Sequence, residues 1–133
     1  MLKKTITYTD LNGTERTEDH YFNLTKAEML EYDASFYPSS AIEYLTYLVE
    51  AKEAGKLVLA FKDLILRSYG KRTADGLFIK NQQLRDAFMA SEAYSELFME
   101  VTTSEENAAA FINGVVPQVP QSGGTSTNVV SLG

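Results

Sequence analysis

The segment Leu84–Pro117 pairs large apolar side chains with closely spaced carboxylates, the composition of short amphipathic helices. Within Ser91–Val101 the apolar side chains follow one helical face at positions i, i+1, i+4, i+5 and i+8, namely Ala93, Tyr94, Leu97, Phe98 and Val101. Glu92, Glu96 and Glu100 line the opposite side without an intervening Lys or Arg. Like charges at this spacing destabilise an isolated helix by about 0.2–0.5 kcal/mol per pair. These three glutamates therefore form either a solvated outer face or a surface for a basic partner.

Length and composition indicate one compact domain. The chain has 133 residues, of which 44% are hydrophobic, enough for one core but marginal for two. We expect residues 1–116 to form a single domain, with a β-hairpin over 1–22 and helices over 23–116. From Val115 onward there is no charged residue, and Pro and Gly alternate with small polar residues, so we expect a disordered tail over 117–133.

The sequence argues against export and membrane insertion. It contains no cysteine, which excludes disulfides and thiolate metal sites and fits a reducing cytosol. The N-terminus alternates polar and apolar residues where a signal peptide has an unbroken apolar run. The most apolar stretch, Leu57–Leu66, contains Lys62 and Asp63 and is far shorter than the ~20 residues of a spanning helix. We therefore expect a soluble cytoplasmic protein.

Charge argues against nucleic acid as a partner. The net charge is −6, and the local basic cluster Arg67, Lys71 and Arg72 suits the C-terminal end of a helix. Residues 82–113 contain a single Arg, Arg85, against six carboxylates. This half of the chain favours a basic or amphipathic protein.

The N-terminal residues carry the signals of a β-hairpin. Alternating β-branched and aromatic residues over Leu2–Thr9 and the extended return Thr14–Phe22 flank a turn at Asn12-Gly13. The turn is either a two-residue type I′ turn or a three-residue loop with Gly13 in a bulge, and the two differ in register. The hairpin either docks on the helices or pairs with another sheet edge, which would mean oligomerisation or strand addition to a partner.

About six helices follow. Thr25–Glu28 and Ser40–Glu43 are capping boxes, which predict helices from Lys26 to Ser35 and from Ile42 to Ala54. Gly55 and Gly70 then predict the ends of the second helix and of a third over Lys56–Tyr69. The remaining predictions are a loop or tiny hairpin over Lys71–Lys80 and three short helices, Gln82–Ala90, Ser91–Val101 and Ser104–Asn113, the last ending at Asn113-Gly114. The fold class is α+β, mostly α-helical.

The sequence offers no catalytic or metal-binding constellation. His20 is the sole histidine, so no triad or imidazole metal pair can be built from it. No calcium-loop, phosphate-loop or nucleophile-elbow pattern occurs. We expect a non-enzymatic protein without a cofactor or metal. The apolar side chains Phe88, Met89, Phe98, Met99 and Phe111 form either a core or an adaptable groove for another protein.

The order of several short motifs resembles the tail assembly chaperones of long, non-contractile-tailed bacteriophages, especially those of Gram-positive hosts. The motifs are Tyr69-Gly70, Asp75-Gly76, Phe78-Ile79-Lys80, Leu84-Arg85, Phe88, Glu92-Ala93-Tyr94-Ser95, Leu97-Phe98 and Phe111-Ile112-Asn113-Gly114 before Pro117. The hairpin and Thr25–Glu28 are similar in type. The residues after Pro117 lie outside the resemblance.

The resemblance implies a protein that coats the long, helical, hydrophobic tape measure protein and helps recruit tail tube subunits during tail assembly. In such families a longer form made by ribosomal frameshifting carries the tube-binding part, so this chain would be the short form. It would act in the cytoplasm of the infected bacterium, with homo-oligomerisation as an option, and be missing from the mature virion. We expect the client to contact Tyr94, Leu97, Phe98, Phe111 and Ile112. The alternatives are a structural tail or neck component and a small regulator of a host protein.

Overall fold

A four-stranded sheet packs against helices in the computed structural model, which describes residues 1–117. The described elements are β1 (Leu2–Thr9), β2 (Glu15–Phe22), α1 (Lys26–Ala34), α2 (Ala41–Ala51), α3 (Ala54–Ser68), β3 (Tyr69–Arg72), β4 (Phe78–Ile79), α4 (Gln82–Met89), α5 (Glu92–Thr102) and α6 (Glu105–Val115). The predicted α+β class with an N-terminal hairpin and six helices is confirmed. The tail predicted over 117–133 lies, from residue 118 onward, outside the described residues.

The hairpin closes through a three-residue loop. Asp10 N donates to Thr14 O at 2.9 Å, and Gly13 N donates to Asp10 O at 2.9 Å. Gly13 has a φ of 81°, which glycine adopts without strain. The Asp10 carboxylate also accepts hydrogen bonds from the backbone of Asn12 and Thr14. Of the two turns that the sequence left open, the structure has the bulged one, and Ile6 faces Glu18 as a result.

The hairpin docks on the chain's own helices and extends the sheet. Phe22 pairs with Tyr69 and Tyr21 with Gly70, after which β3 turns away to pair with β4. The segment predicted as a loop or tiny hairpin is thus a tiny hairpin. Gly70 lies where a Cβ would stand 2.7 Å from the carbonyl oxygen of Ile79. The helix predicted to close at Gly70 ends at Ser68, and Gly70 follows it as a sheet residue at a close backbone approach.

Two further predicted helix boundaries need correction. The helix α2 ends at Ala51, where Lys52 takes a left-handed conformation with a φ of 56° and Glu53 N donates to Leu48 O at 3.2 Å. Gly55 therefore belongs to the first turn of α3. Gly114 continues α6, and a Cβ there would stand 2.9 Å from the Leu2 side chain. Each glycine was predicted from its sequence neighbours to end a helix, but contacts with distant residues determine where the helix ends.

Aromatic side chains join the sheet to the helices. The Phe22 ring centroid lies 5.7 Å from that of Tyr69, 5.9 Å from that of Phe88 and 5.4 Å from that of Phe111. Tyr69 and Phe88 stack at 4.2 Å. Such pairs stabilise by about 0.5–1.5 kcal/mol beyond their buried area. The core is therefore centred on Phe22, where β2, β3, α4 and α6 meet.

Candidate protein-binding site

A shallow apolar cleft runs between α2 and α6. It consists of two adjoining cavities of about 300 Å³ and about 250 Å³, and Val49 and Glu105 line both of them. Ile42 lies near the end of α6 and Lys52 near its start, so the two helices run antiparallel along the cleft. From Ile42 to Lys52 this wall is ~15 Å long at 1.5 Å per residue, close to three helical turns.

The cleft floor is apolar and lined by small residues of α6. Its apolar lining comprises Ile42, Val49, Ala54, Leu57, Val101, Ala108, Ala109 and Ile112. Ala108 and Ala109 leave room above α6 because their side chains end at Cβ. Ile42 is 37% exposed, so part of this surface already meets water. The shape suits the apolar stripe of a helix from another protein.

Carboxylates outnumber cations at the rim. Glu50 and Glu105 line the cleft with Lys52, whose Nζ lies 3.9 Å from Glu105 Oε2. The side chains of Lys52 and Glu105 are 79% and 61% exposed, so their ion pair adds little stability and yields easily to a ligand. The rim favours a client helix that carries Lys or Arg beside its apolar stripe.

Only one of the five predicted client contacts lies in this cleft. Ile112 lines it, although its side chain is 5% exposed. Leu97 and Phe111 are 1% and 2% exposed in the core, so a client would reach them only if the packing around them opened. The apolar face of α5 turns inward because β1, α3 and α6 pack against it. Contact between a client and any of the five residues stays a prediction.

Tyr94 and Phe98 lie at the edge of the core, away from the cleft. Both are half-buried, and the Tyr94 ring lies 5.6 Å from the rings of Phe88 and Phe98. Burial raises the pKa of the Tyr94 hydroxyl above its usual value. The structure thus separates the five residues into a core pair, an edge pair and one cleft residue.

The sequence of α2 indicated that part of its apolar surface stays exposed. In that helix Tyr44, Leu45, Tyr47, Leu48 and Val49 cover more than half of the circumference. A helix packed on one side cannot bury such a wide apolar surface, so part of it has to face outward. Ile42 is 37% and Tyr47 53% exposed, whereas Leu45 and Leu48 are buried.

His20 and the acidic side chains of the described residues form no metal-binding cluster. His20 is largely buried beside Phe88 and Tyr69, and burial lowers its pKa. Its Nε2 lies 3.4 Å from Glu18 Oε1 and has no hydrogen-bond partner within residues 1–117. In residues 1–117 no three His, Asp or Glu side chains converge to hold a metal ion. No helix in that range is long and apolar enough to cross a bilayer.

Comparison with known proteins identifies the family. A family model described as phage tail assembly chaperone matches residues 1–123. No curated protein and no solved structure matches the chain. The family description points to a non-enzymatic role that relies on protein partners in tail assembly. Because the match spans every described residue, the chain belongs to the phage tail assembly chaperone family.

Proposed function

We propose that this chain binds and solubilises the tape measure protein and helps recruit tail tube subunits during tail morphogenesis. The observation that carries the proposal is the family match over residues 1–123. The α2–α6 cleft supports it, because a long helical client exposes apolar stripes that need shielding until the tube surrounds them. The client contact that we propose on this surface is Ile112 together with Ile42 and Val49.

A weak cleft suits a coating protein. Burying one Leu or Phe side chain of a client stabilises the complex by about 1.5–3 kcal/mol, before the loss of rigid-body freedom is subtracted. Two or three such side chains give modest affinity per copy. Many copies along one client then give strong overall retention, which is why we also propose homo-oligomerisation on the client.

We further propose that tube subunits are recruited mainly through a longer, frameshifted form. The two forms would diverge within Val115–Gly133, whose composition lacks charge. The protein acts in the cytoplasm of the infected bacterium. Mass spectrometry of purified virions is expected to find none of it, and its detection at the abundance of a tail component would instead support the structural alternative.

A pair of adjacent alanines in α6 tests the cleft. Ala109 lines it and Ala110 does not, and both are exposed. Replacing Ala109 with glutamate places a charged side chain across the apolar floor, whereas Ala110→Glu adds the same charge beside it. With the tape measure protein co-expressed, we expect Ala109→Glu to leave the client insoluble and Ala110→Glu to keep it soluble. The soluble fraction of the client is measured after centrifugation.

The two variants are matched for charge, helix position and helix propensity. Circular dichroism of each purified variant checks that both fold like the parent. A folded Ala109→Glu variant that still keeps the client soluble would contradict the cleft as the client site. Failure of the parent chain to solubilise the client would contradict the proposed function itself.

A further inference from the structure

The outer edge of β1 has unused backbone groups. In residues 1–117, β1 is the terminal strand of the sheet order β1-β2-β3-β4. Along an antiparallel ladder, hydrogen-bonded residue pairs alternate with non-hydrogen-bonded ones. Asp10 and Thr14 form a hydrogen-bonded pair, so every second residue of β1 counted back from Asp10 is hydrogen-bonded to β2 as well. The N–H and C=O groups of Lys3, Thr5, Thr7 and Thr9 therefore point away from β2. Within the described residues they have no backbone partner.

A groove lies between this edge and α5. It measures about 280 Å³ and is lined by Thr5, Ile6 and Thr7 of β1 and by Glu96, Met99 and Glu100 of α5. No residue of β2 lines it, so it lies on the free side of β1. Lys4 forms an ion pair with Glu100, which holds α5 against the strand. The edge is thus flanked by a helix face, an arrangement into which an extended peptide fits.

We propose that the free edge of β1 and the facing side of α5 bind an extended segment of another protein, whose side chains toward α5 are basic and apolar. An added strand directs every second side chain toward the helix. There Met99 is 56% exposed, and Glu96 forms no ion pair within residues 1–117. An apolar side chain covers Met99, while Lys or Arg pairs with Glu96. This surface goes beyond the proposed client cleft and shares with it only Thr103.

A second copy of the chain fits this edge poorly. Antiparallel pairing of β1 with its own copy about a two-fold axis would put both α5 helices on the same side of the joint sheet. Glu96 of one copy would then face the acidic side of the other α5. Like charges brought together in this way oppose association, so the structure favours a basic segment from a different protein.

The first experiment uses a defined peptide. It has blocked ends and eight residues, the length of β1. Threonine occupies every second position, and the positions between are lysine and isoleucine by turns. Amide NMR of the full chain follows its binding. We expect the amides of Thr5 and Thr7 to shift and to gain protection from solvent exchange at a peptide concentration of about 1 mM or below. A peptide with glutamate in place of lysine is expected to bind at least about tenfold more weakly.

Two threonines that face each other supply a matched pair of variants. Thr7 on β1 and Thr17 on β2 are cross-strand partners, and their Oγ1 atoms lie 3.0 Å apart. Both are at positions whose N–H points away from the β1–β2 ladder, where proline is tolerated in an edge strand. Thr7→Pro removes a donor from the proposed edge, and Thr17→Pro removes one from the far edge of the hairpin. Both lose the same side-chain hydrogen bond.

We expect Thr7→Pro to weaken peptide binding at least about tenfold and Thr17→Pro to leave it within about twofold. Should Thr7→Pro fail to fold, Glu96→Lys replaces it, with Glu31→Lys on α1 as the control of equal charge; Glu96→Lys alone is expected to weaken binding. The proposal is overturned by unchanged Thr5 and Thr7 amides, by equal losses in both members of a pair, or by equal binding of the glutamate peptide. It is also overturned if the chain self-associates through β1 and Thr7→Pro makes it monomeric.

Discussion

Replacing Leu97 with aspartate is expected to unfold the protein even when no client is present. Leu97 is 1% exposed and lies in the core cluster. The substitution removes a buried apolar side chain and leaves a carboxyl group without a partner in its place. We expect a loss of more than about 4 kcal/mol in the free energy of unfolding, which approaches the whole stability of a small domain. Urea denaturation followed by circular dichroism measures it.

Met99 provides the control for this experiment. It lies two residues further along α5 and is 56% exposed. Met99→Asp introduces the same side chain at a position that water already reaches, so we expect a change within about 1 kcal/mol. A stable, folded Leu97→Asp variant would show that the apolar face of α5 is not covered by the rest of the chain, and it would support Leu97 as a client contact.

Phe22→Ala is expected to lower the free energy of unfolding by about 3–5 kcal/mol. The Phe22 side chain is 0% exposed and contacts the rings of Tyr69, Phe88 and Phe111. Its removal leaves a cavity where the sheet meets α4 and α6, and the surrounding backbone can close it only in part. The urea midpoint should fall while the hairpin loses its anchor on the helices.

Tyr47→Ala is the control for Phe22→Ala. Tyr47 is 53% exposed on α2, and its hydroxyl donates a hydrogen bond to Glu53 at 3.3 Å. Losing an exposed ring and one long hydrogen bond is expected to change the free energy of unfolding by about 1 kcal/mol or less. If Phe22→Ala were no more destabilising than Tyr47→Ala, Phe22 could not be the centre of the core.

The local signals of the sequence predicted local structure well. In both predicted capping boxes the Thr25 and Ser40 hydroxyls accept hydrogen bonds from the N–H groups of Glu28 and Glu43. These contacts join residues three positions apart, so they depend little on the rest of the fold. The same holds for the hairpin, whose strands are separated by only five residues, with a three-residue loop inside the Asp10–Thr14 pair.

Signals that depend on distant residues were less informative. Gly55 and Gly114 were predicted as helix ends, yet Gly55 lies in the first turn of α3 and Gly114 continues α6 against Leu2. Gly70 does follow the end of α3, but as a residue of β3. A glycine permits many conformations, and the sequence around it does not show which contact requires the missing side chain. The sequence also left the turn of the hairpin undecided, since two turn types fit the same residues.

The sequence by itself determined the fold class, most helix starts, the acidic character and the resemblance to tail assembly chaperones, because these follow from composition and from residues close together in the chain. Only the tertiary structure decided which apolar face meets water. Helical periodicity shows that Leu97 and Val101 share a side of α5, but not that β1, α3 and α6 cover that side. Burial is set by contacts between residues far apart in sequence, and only those contacts show that an apolar cleft stays open between α2 and α6.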